Sequence, residues 1–297
     1  MSVAAKLHVG MSLAPTWLSG EAWRRADSDI SGVFSSDYFV DLAQRAEAAH
    51  VDFVFRPDTL CFFSHPGAGE PAAGFPATDP STAFLGIARG NHTTSGCCPP
   101  FGPHLPPYVV ARQIQSLNWL SNGRAGWNIV TALEGHENFG LKEMPLPQER
   151  YERAAEFTQV VKALWASFPN EALKLDRESG RFADSSLVRP VAHEGRHFSV
   201  KGPLNLPSHA SRIPLVQAGA SPEGRDFASS VADAVFASTP DMQAAIELRA
   251  DLRRRAEGHG RNPDGVKLMP GLSLYLAETG REALELYAET HARANRA

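Results

Sequence analysis

Apolar residues in this chain follow two alternating rhythms. Short apolar runs, KLHVGMSL, VDFVFRPD, AGWNIVT, IPLVQAGA and DAVFAS, have the length and composition of buried strands. Between them, longer segments repeat apolar residues at helical spacing. In SSDYFVDLAQRAEAAH these are Phe39, Leu42, Ala43, Ala46 and Ala49, and DPSTAFLGIA and PPYVVARQIQSLNWLS read the same way. PQERYERAAEFTQVVKALWASF is the clearest helix, with Tyr151, Ala154, Ala155, Phe157, Val161, Leu164 and Trp165 on one broad face. A Pro- and Gly-rich interval from Pro169 to Arg212 interrupts the alternation. It resumes with a helix at SPEGRDFASSVA, a helix at TPDMQAAIELRADLRRRAEGHG, a strand over GVKLMPGLSLYLA and a helix at TGREALELYAETHARA.

Strand followed by helix, repeated, predicts a parallel sheet covered by helices. Counting a doubtful third strand in GNHTTSGCCPPFGPHLPPY gives seven strand-helix units, one short of a (β/α)8 TIM-like barrel. That third segment has two Pro-Pro pairs and few apolar residues, which suits a central strand poorly. An open doubly wound sheet is the alternative, but no G-x-G-x-x-G follows the first strand, which runs into APTWLSGEAW. The reading is an α/β chain, 1–297 as one barrel domain truncated before its eighth strand. A hairpin region at about 169–212 is inserted between strands four and five.

With 297 residues, 43% of them hydrophobic, the chain can bury a large core. Its formal charge of -4 is spread along the sequence and offers no basic stripe for phosphate backbones, so nucleic acid is not an expected partner. Cys61, Cys97 and Cys98 form no C-x-x-C pair and read as free thiols. The opening MSVAAKLHVGMSLAP lacks the pattern of a secretory leader, and no apolar run approaches the ~20 residues that span a bilayer. A cytoplasmic protein without membrane contact is expected.

In such barrels, sites form at the carboxyl ends of the strands. Polar residues recur there: Asp58 after the second strand, Asn128 and Thr131 on the fourth, Gln217 and Ser221 on the fifth. In QAGASPEGR, Gly219 permits a tight turn, Ser221 is a good N-cap and Pro222 suits the first helical position. The N–H groups at that helix start can hold an anion, although a well-capped helix with nothing bound gives the same letters. Tyr151 in ERYERAAEF sits in the first turns of its helix, where a phenol can donate to the same anion or simply pack. HEGRH, His193 to His197, matches the letters of a zinc-peptidase motif. That chemistry needs a helix, and Gly195 with Pro190 upstream predicts a hairpin turn, so no metal is expected. Neither a G-x-S-x-G elbow nor a P-loop is present.

Three blocks, LSNGRAGWNIVT, ERYERAAEFTQVVKALW, and HFSVKGPLNLP leading to IPLVQAGASPEGRDFA and ADAVFAS, together resemble the bacterial-luciferase-like flavin monooxygenases. The likeness is to the branch with nitrilotriacetate monooxygenase, dibenzothiophene-sulfone monooxygenase and the pristinamycin synthase large subunit. The resemblance implies a flavoprotein oxidoreductase on a TIM barrel. It would use reduced FMN as cosubstrate with O2 to oxygenate a small organic molecule, fed by a separate NAD(P)H:flavin reductase, and assemble as a homo-oligomer. It further implies that Asp58, Asn128, Thr131 and Ala132 line the flavin and that Tyr151, Ser221 and Pro222 hold its phosphate; no catalytic side chain follows from it. Two positions depart from the pattern: Ala132 stands where relatives have Ser, and Pro147 where many have His. Relatives also continue past the helix after strand seven. A non-catalytic truncated barrel remnant without useful FMN binding is therefore the competing expectation.

Overall fold

A computed structural model describes residues 7–13, 26–57, 79–90, 95–98, 105–131, 135–219 and 221–292. In chain order its strands are β1 (Gly10–Ser12), β2 (Phe53–Phe55), β3 (Ser95–Cys98), β4 (Ala125–Ile129), β5 (Leu173–Asp176), β6 (Arg181–Ala183), β7 (His193–Glu194), β8 (Ser199–Val200), β9 (Leu215–Ala218), β10 (Ala234–Ala237) and β11 (Lys267–Pro270). The helices are α1 (Ser36–Ala48), α2 (Pro80–Gly90), α3 (Pro107–Leu120), α4 (Pro147–Ala166), α5 (Pro222–Val231), α6 (Met242–Gly258) and α7 (Gly280–Ala292). Seven strands form one all-parallel sheet in the order β1-β2-β3-β4-β9-β10-β11. Because all its strands run the same way, their carboxyl ends share one rim.

Local chemistry starts the helices where the sequence predicts. Ser35 caps α1 by accepting from the Asp37 N–H at 3.2 Å, and Asp241 caps α6 by accepting from Ala244 at 2.8 Å. Proline opens α3, α4 and α5, where the missing N–H costs nothing. Packing then fixes which face of the sheet meets them. Trp127 lies against Phe157 and Trp165 of α4, ring centroids 6.1 and 5.8 Å apart, so Ala125, Trp127 and Ile129 point toward the helices. Alternation along a strand turns Gly126 and Asn128 to the opposite, inner face.

The sheet curls. Val54 joins Phe39 of α1 in the outer layer, so Phe53 and Phe55 face inward; Val235 and Ala237 pack on α6, so Phe236 also faces inward. The rings of Phe55 and Phe236 stack with centroids 6.2 Å apart, although β3, β4 and β9 separate their strands in the sheet. Only a sheet closing on itself brings them together, which makes the fold TIM-barrel-like. Among the described residues β1 and β11 are the edges, each with one neighbour.

Two expectations differ from the structure. The segment judged too poor for a central strand does supply one: Ser95–Cys98 pairs with β2 on one side and β4 on the other. Being bonded on both sides, it depends less on its own side chains, and it stops where Pro99 and Pro100 begin. The last strand is shorter than its apolar run predicts. β11 ends at Pro270, and Leu272, Leu274 and Leu276 that follow are 81%, 71% and 79% exposed; among the described residues β11 has one neighbour strand, β10. No helix among the described residues is long and apolar enough to cross a membrane.

Between β4 and β9 lie two small antiparallel pairs, β5 with β6 and β7 with β8. The second places His193 and His197 on a hairpin rather than one turn apart on a helix. It is clamped to α4 by Glu156, whose carboxylate accepts from the His197 and Phe198 N–H groups at 3.0 and 2.9 Å and lies 3.0 Å from His193 Nε2. Burial opposes the charge on Glu156, but these bonds outweigh it and hold the carboxyl below the ordinary glutamate range. A depressed carboxyl stabilises the fold fully above its unfolded value, about 4.3, and loses that contribution as pH falls through the lower folded value. Glu156→Gln is therefore expected to lower stability by about 1–2 kcal/mol at pH 7, with the gap to the parent narrowing below about pH 4. Urea unfolding across pH 3 to 7 checks this; a gap that does not change with pH contradicts it.

Candidate functional site

β4 and β9 are neighbours, in register at Asn128 with Val216 and Ile129 with Gln217, so the loops leaving them start side by side on the rim. One leads to α4 and the other to α5. Asn128 is buried on the inner face of β4, and its Oδ1 has no hydrogen-bond partner among the described residues. Thr131, just past the strand, is also buried. Asp58 and Ala132, implied as flavin contacts, lie outside the described residues.

The start of α5 is built from its own sequence. Ser221 adopts extended backbone, φ -68° and ψ 157°, and its hydroxyl accepts from the Gly224 N–H at 3.0 Å, while its carbonyl takes the Arg225 N–H. Pro222 contributes no N–H, which leaves the Glu223 N–H directed out of the helix end without an intrahelical acceptor. The positive end of the helix dipole adds to the attraction for an anion there.

Tyr151 reaches this point from α4. Its ring packs on Phe227, a buried residue of α5, with centroids 5.9 Å apart at 47°. The contact carries the phenol up to the α5 start. A Cβ placed on Gly224 would lie 2.6 Å from Tyr151 Oη and 3.3 Å from both Ser221 Oγ and the Gly219 Cα. The missing side chain of Gly224 is what admits the phenol, a role that the sequence alone did not reveal. Tyr151, Ser221 and Pro222 are thus brought together. Asn128 and Thr131 sit on the adjacent strand, Asn128 facing the interior of the sheet.

Gln217 was noted in the sequence only as a polar strand end. It is 1% exposed, its Nε2 donates to the carbonyl of the next residue, Ala218, at 3.1 Å, and its Oε1 has no partner among the described residues. Leaving a buried acceptor unmade costs about 1–3 kcal/mol. Two orphaned amide oxygens, on Asn128 and Gln217, therefore lie close to one rim, where polar groups are held ready at some cost in stability.

Tyr151 and Gly224 should be energetically coupled. Gly224→Ala gains helix propensity but must displace the phenol; in a Tyr151→Phe background the hydroxyl is gone. A double-mutant cycle read by urea unfolding is expected to give a coupling of at least about 0.5 kcal/mol. Strict additivity of the two changes would contradict the contact.

Comparison with known proteins gives this geometry its context. The family model described as luciferase-like monooxygenase matches residues 17–296. N-acetyl-S-(2-succino)cysteine monooxygenase of Bacillus subtilis (strain 168) is 33% identical over 292 residues, covering 96% of this chain and 64% of that protein. Nitrilotriacetate monooxygenase component A of Aminobacter aminovorans is 29% identical over 302 residues, covering 97% of this chain and 66% of the relative. The crystal structure of a riboflavin lyase with modified FMN and riboflavin superimposes with a TM-score of 0.89 at 28% identity, covering 97% of this chain and 67% of that one. The chain spans about two thirds of the length of the curated relatives it matches. The match across nearly its whole length makes the chain a member of the luciferase-like monooxygenase family.

Proposed function

We propose that the chain is the flavin-binding barrel of an FMN-dependent monooxygenase. It would take reduced FMN from a separate NAD(P)H:flavin reductase in the cytoplasm and oxygenate a small organic substrate. The observation that carries the reading is the Tyr151 phenol standing at the Gly224 start of α5, beside the Ser221 cap. A phenolic donor, a hydroxyl and outward N–H groups at a helix start form a donor set suited to a phosphate, the doubly charged tail of FMN. The Tyr151 phenol, the Ser221 hydroxyl and the helix-start N–H groups are the donors a phosphate needs, so the residues fit the group.

Family membership and the FMN-containing relative point the same way, and a relative whose name marks it as component A supports a partner protein. In this reading Tyr151, Ser221 and the N–H groups after Pro222 bind the phosphate, with Pro222 opening the helix. Asn128 and Thr131, buried on and just past β4, contact the flavin beyond it, and the family resemblance adds Asp58 and Ala132 to that set. Reduced flavin held there would supply the two electrons and two protons that monooxygenation needs, one atom of O2 going to the substrate and the other to water. The protein's part is to hold the cofactor by its tail, orient it over the strand ends and keep water from the reacting atoms. The inner face, with Phe53, Phe55 and Phe236, supplies an apolar surface for that exclusion. The whole of 1–297 serves as one barrel domain, with 169–212 as an insertion clamped on α4.

FMN is expected to bind saturably, followed by quenching of its fluorescence or by calorimetry. Ser221→Asp keeps an N-capping side chain and so leaves the helix intact, yet sets a negative charge at the phosphate. Its affinity is expected to fall at least about tenfold. Unchanged affinity, or no saturable binding by the parent chain, would overturn the reading.

A further inference from the structure

Gln217 occupies a position where an apolar residue would bury equal area at less cost. Its partners across and along the sheet, Ile129 and Leu215, belong to the apolar layer beneath the helices. The side chain starts toward that layer, but its amide ends beside Gly219, two residues further along the chain. A Cβ on Gly219 would meet its Nε2 at 2.7 Å and its Oε1 at 2.9 Å. Gly219 in turn touches the α5 start, its Cα 3.3 Å from the point where a Gly224 Cβ would lie, and Tyr151 Oη is 2.6 Å from that same point. The Gln217 amide, Gly219, Gly224 and the Tyr151 phenol thus form one continuous line of contacts. Two glycines, each without the side chain that would break it, make that line possible.

From this line of contacts we infer that Gln217 is a positioning residue for the phosphate cradle. Its amide lies against Gly219, and Gly219 in turn lies against the α5 start, so the amide sets where Gly219 can sit relative to that helix end. This rests on the reading of the α5 start as a phosphate site. Placement of Gly219, rather than the stability of the sheet, accounts for a polar side chain at a fully buried position.

The test compares FMN with riboflavin, which lacks the phosphate, on the parent chain and on Gln217→Met. Met has similar length and no polar atom to leave unsatisfied. The parent is expected to bind FMN more tightly than riboflavin. In Gln217→Met the FMN dissociation constant is expected to rise about tenfold and that of riboflavin to stay unchanged, while the melting temperature holds or increases. A merely structural role would lower the melting temperature and weaken both ligands together; that result, or unchanged FMN affinity, overturns the inference. A parent that does not distinguish FMN from riboflavin overturns the phosphate reading itself, and the role of Gln217 with it. If Gln217→Met does not fold, Gln217→Glu keeps the shape and brings a negative charge under the turn. Selective loss of FMN binding then supports the inference, and equal affinity for FMN in both chains contradicts it.

Discussion

The contact between Tyr151 and Phe227 ties together the parts on which the site depends. Phe227 is buried on the inner face of α5 and Tyr151 stands near the start of α4, so their packing fixes two helix starts against each other at one rim of the sheet. Parallel pairing of β4 with β9 supplies the frame, because it aligns the carboxyl ends from which both connections leave. A glycine at position 224 then lets the phenol approach the helix end as closely as a ligand-binding donor must. Each element is ordinary alone, and the arrangement of donors arises only where they meet.

Stability and binding pull in different directions at this rim. Below it, the layer of Trp127, Ile129, Phe157, Val160, Val161 and Leu164 is apolar and fully packed. At it, Asn128 and Gln217 keep buried oxygens without partners. Trp127 Nε1 and Asn118 Oδ1 are likewise unpartnered among the described residues, so what sets the rim apart is that two such oxygens stand on adjoining strand ends beside the α5 start. The β7–β8 hairpin, latched by Glu156, lends rigidity to the outer face of α4 and through it to Tyr151.

Much of this could be read from the letters. The alternation of strand and helix located six of the seven strands of the parallel sheet, the third being counted only as doubtful, and Ser221-Pro222 marked the start of α5 because capping is local chemistry. What escaped was set by neighbours. Ser95–Cys98 looks unlike a strand, yet two flanking strands complete its hydrogen bonds. The run from Gly271 to Ala277 looks like a strand, yet with β10 on one side alone the pairing stops at Pro270. Gly224 reads as a weak helix residue and Gln217 as a generic polar strand end. The role of Gly224 follows from Tyr151, far away in sequence, and that of Gln217 from the approach of its amide to Gly219, two residues on; no periodicity encodes either contact. Asp58 and Ala132 lie outside the described residues and rest on family resemblance.

The start of α5, with the Tyr151 phenol beside it, is where we propose that this chain grips an anionic cofactor. Hydrogen exchange followed by mass spectrometry, with and without saturating FMN, reads that directly. The account calls for slowed exchange concentrated in the peptide covering 219–225, together with the start of α4. Protection confined to other strand ends, or none at 219–225 under conditions where FMN is bound, would contradict it.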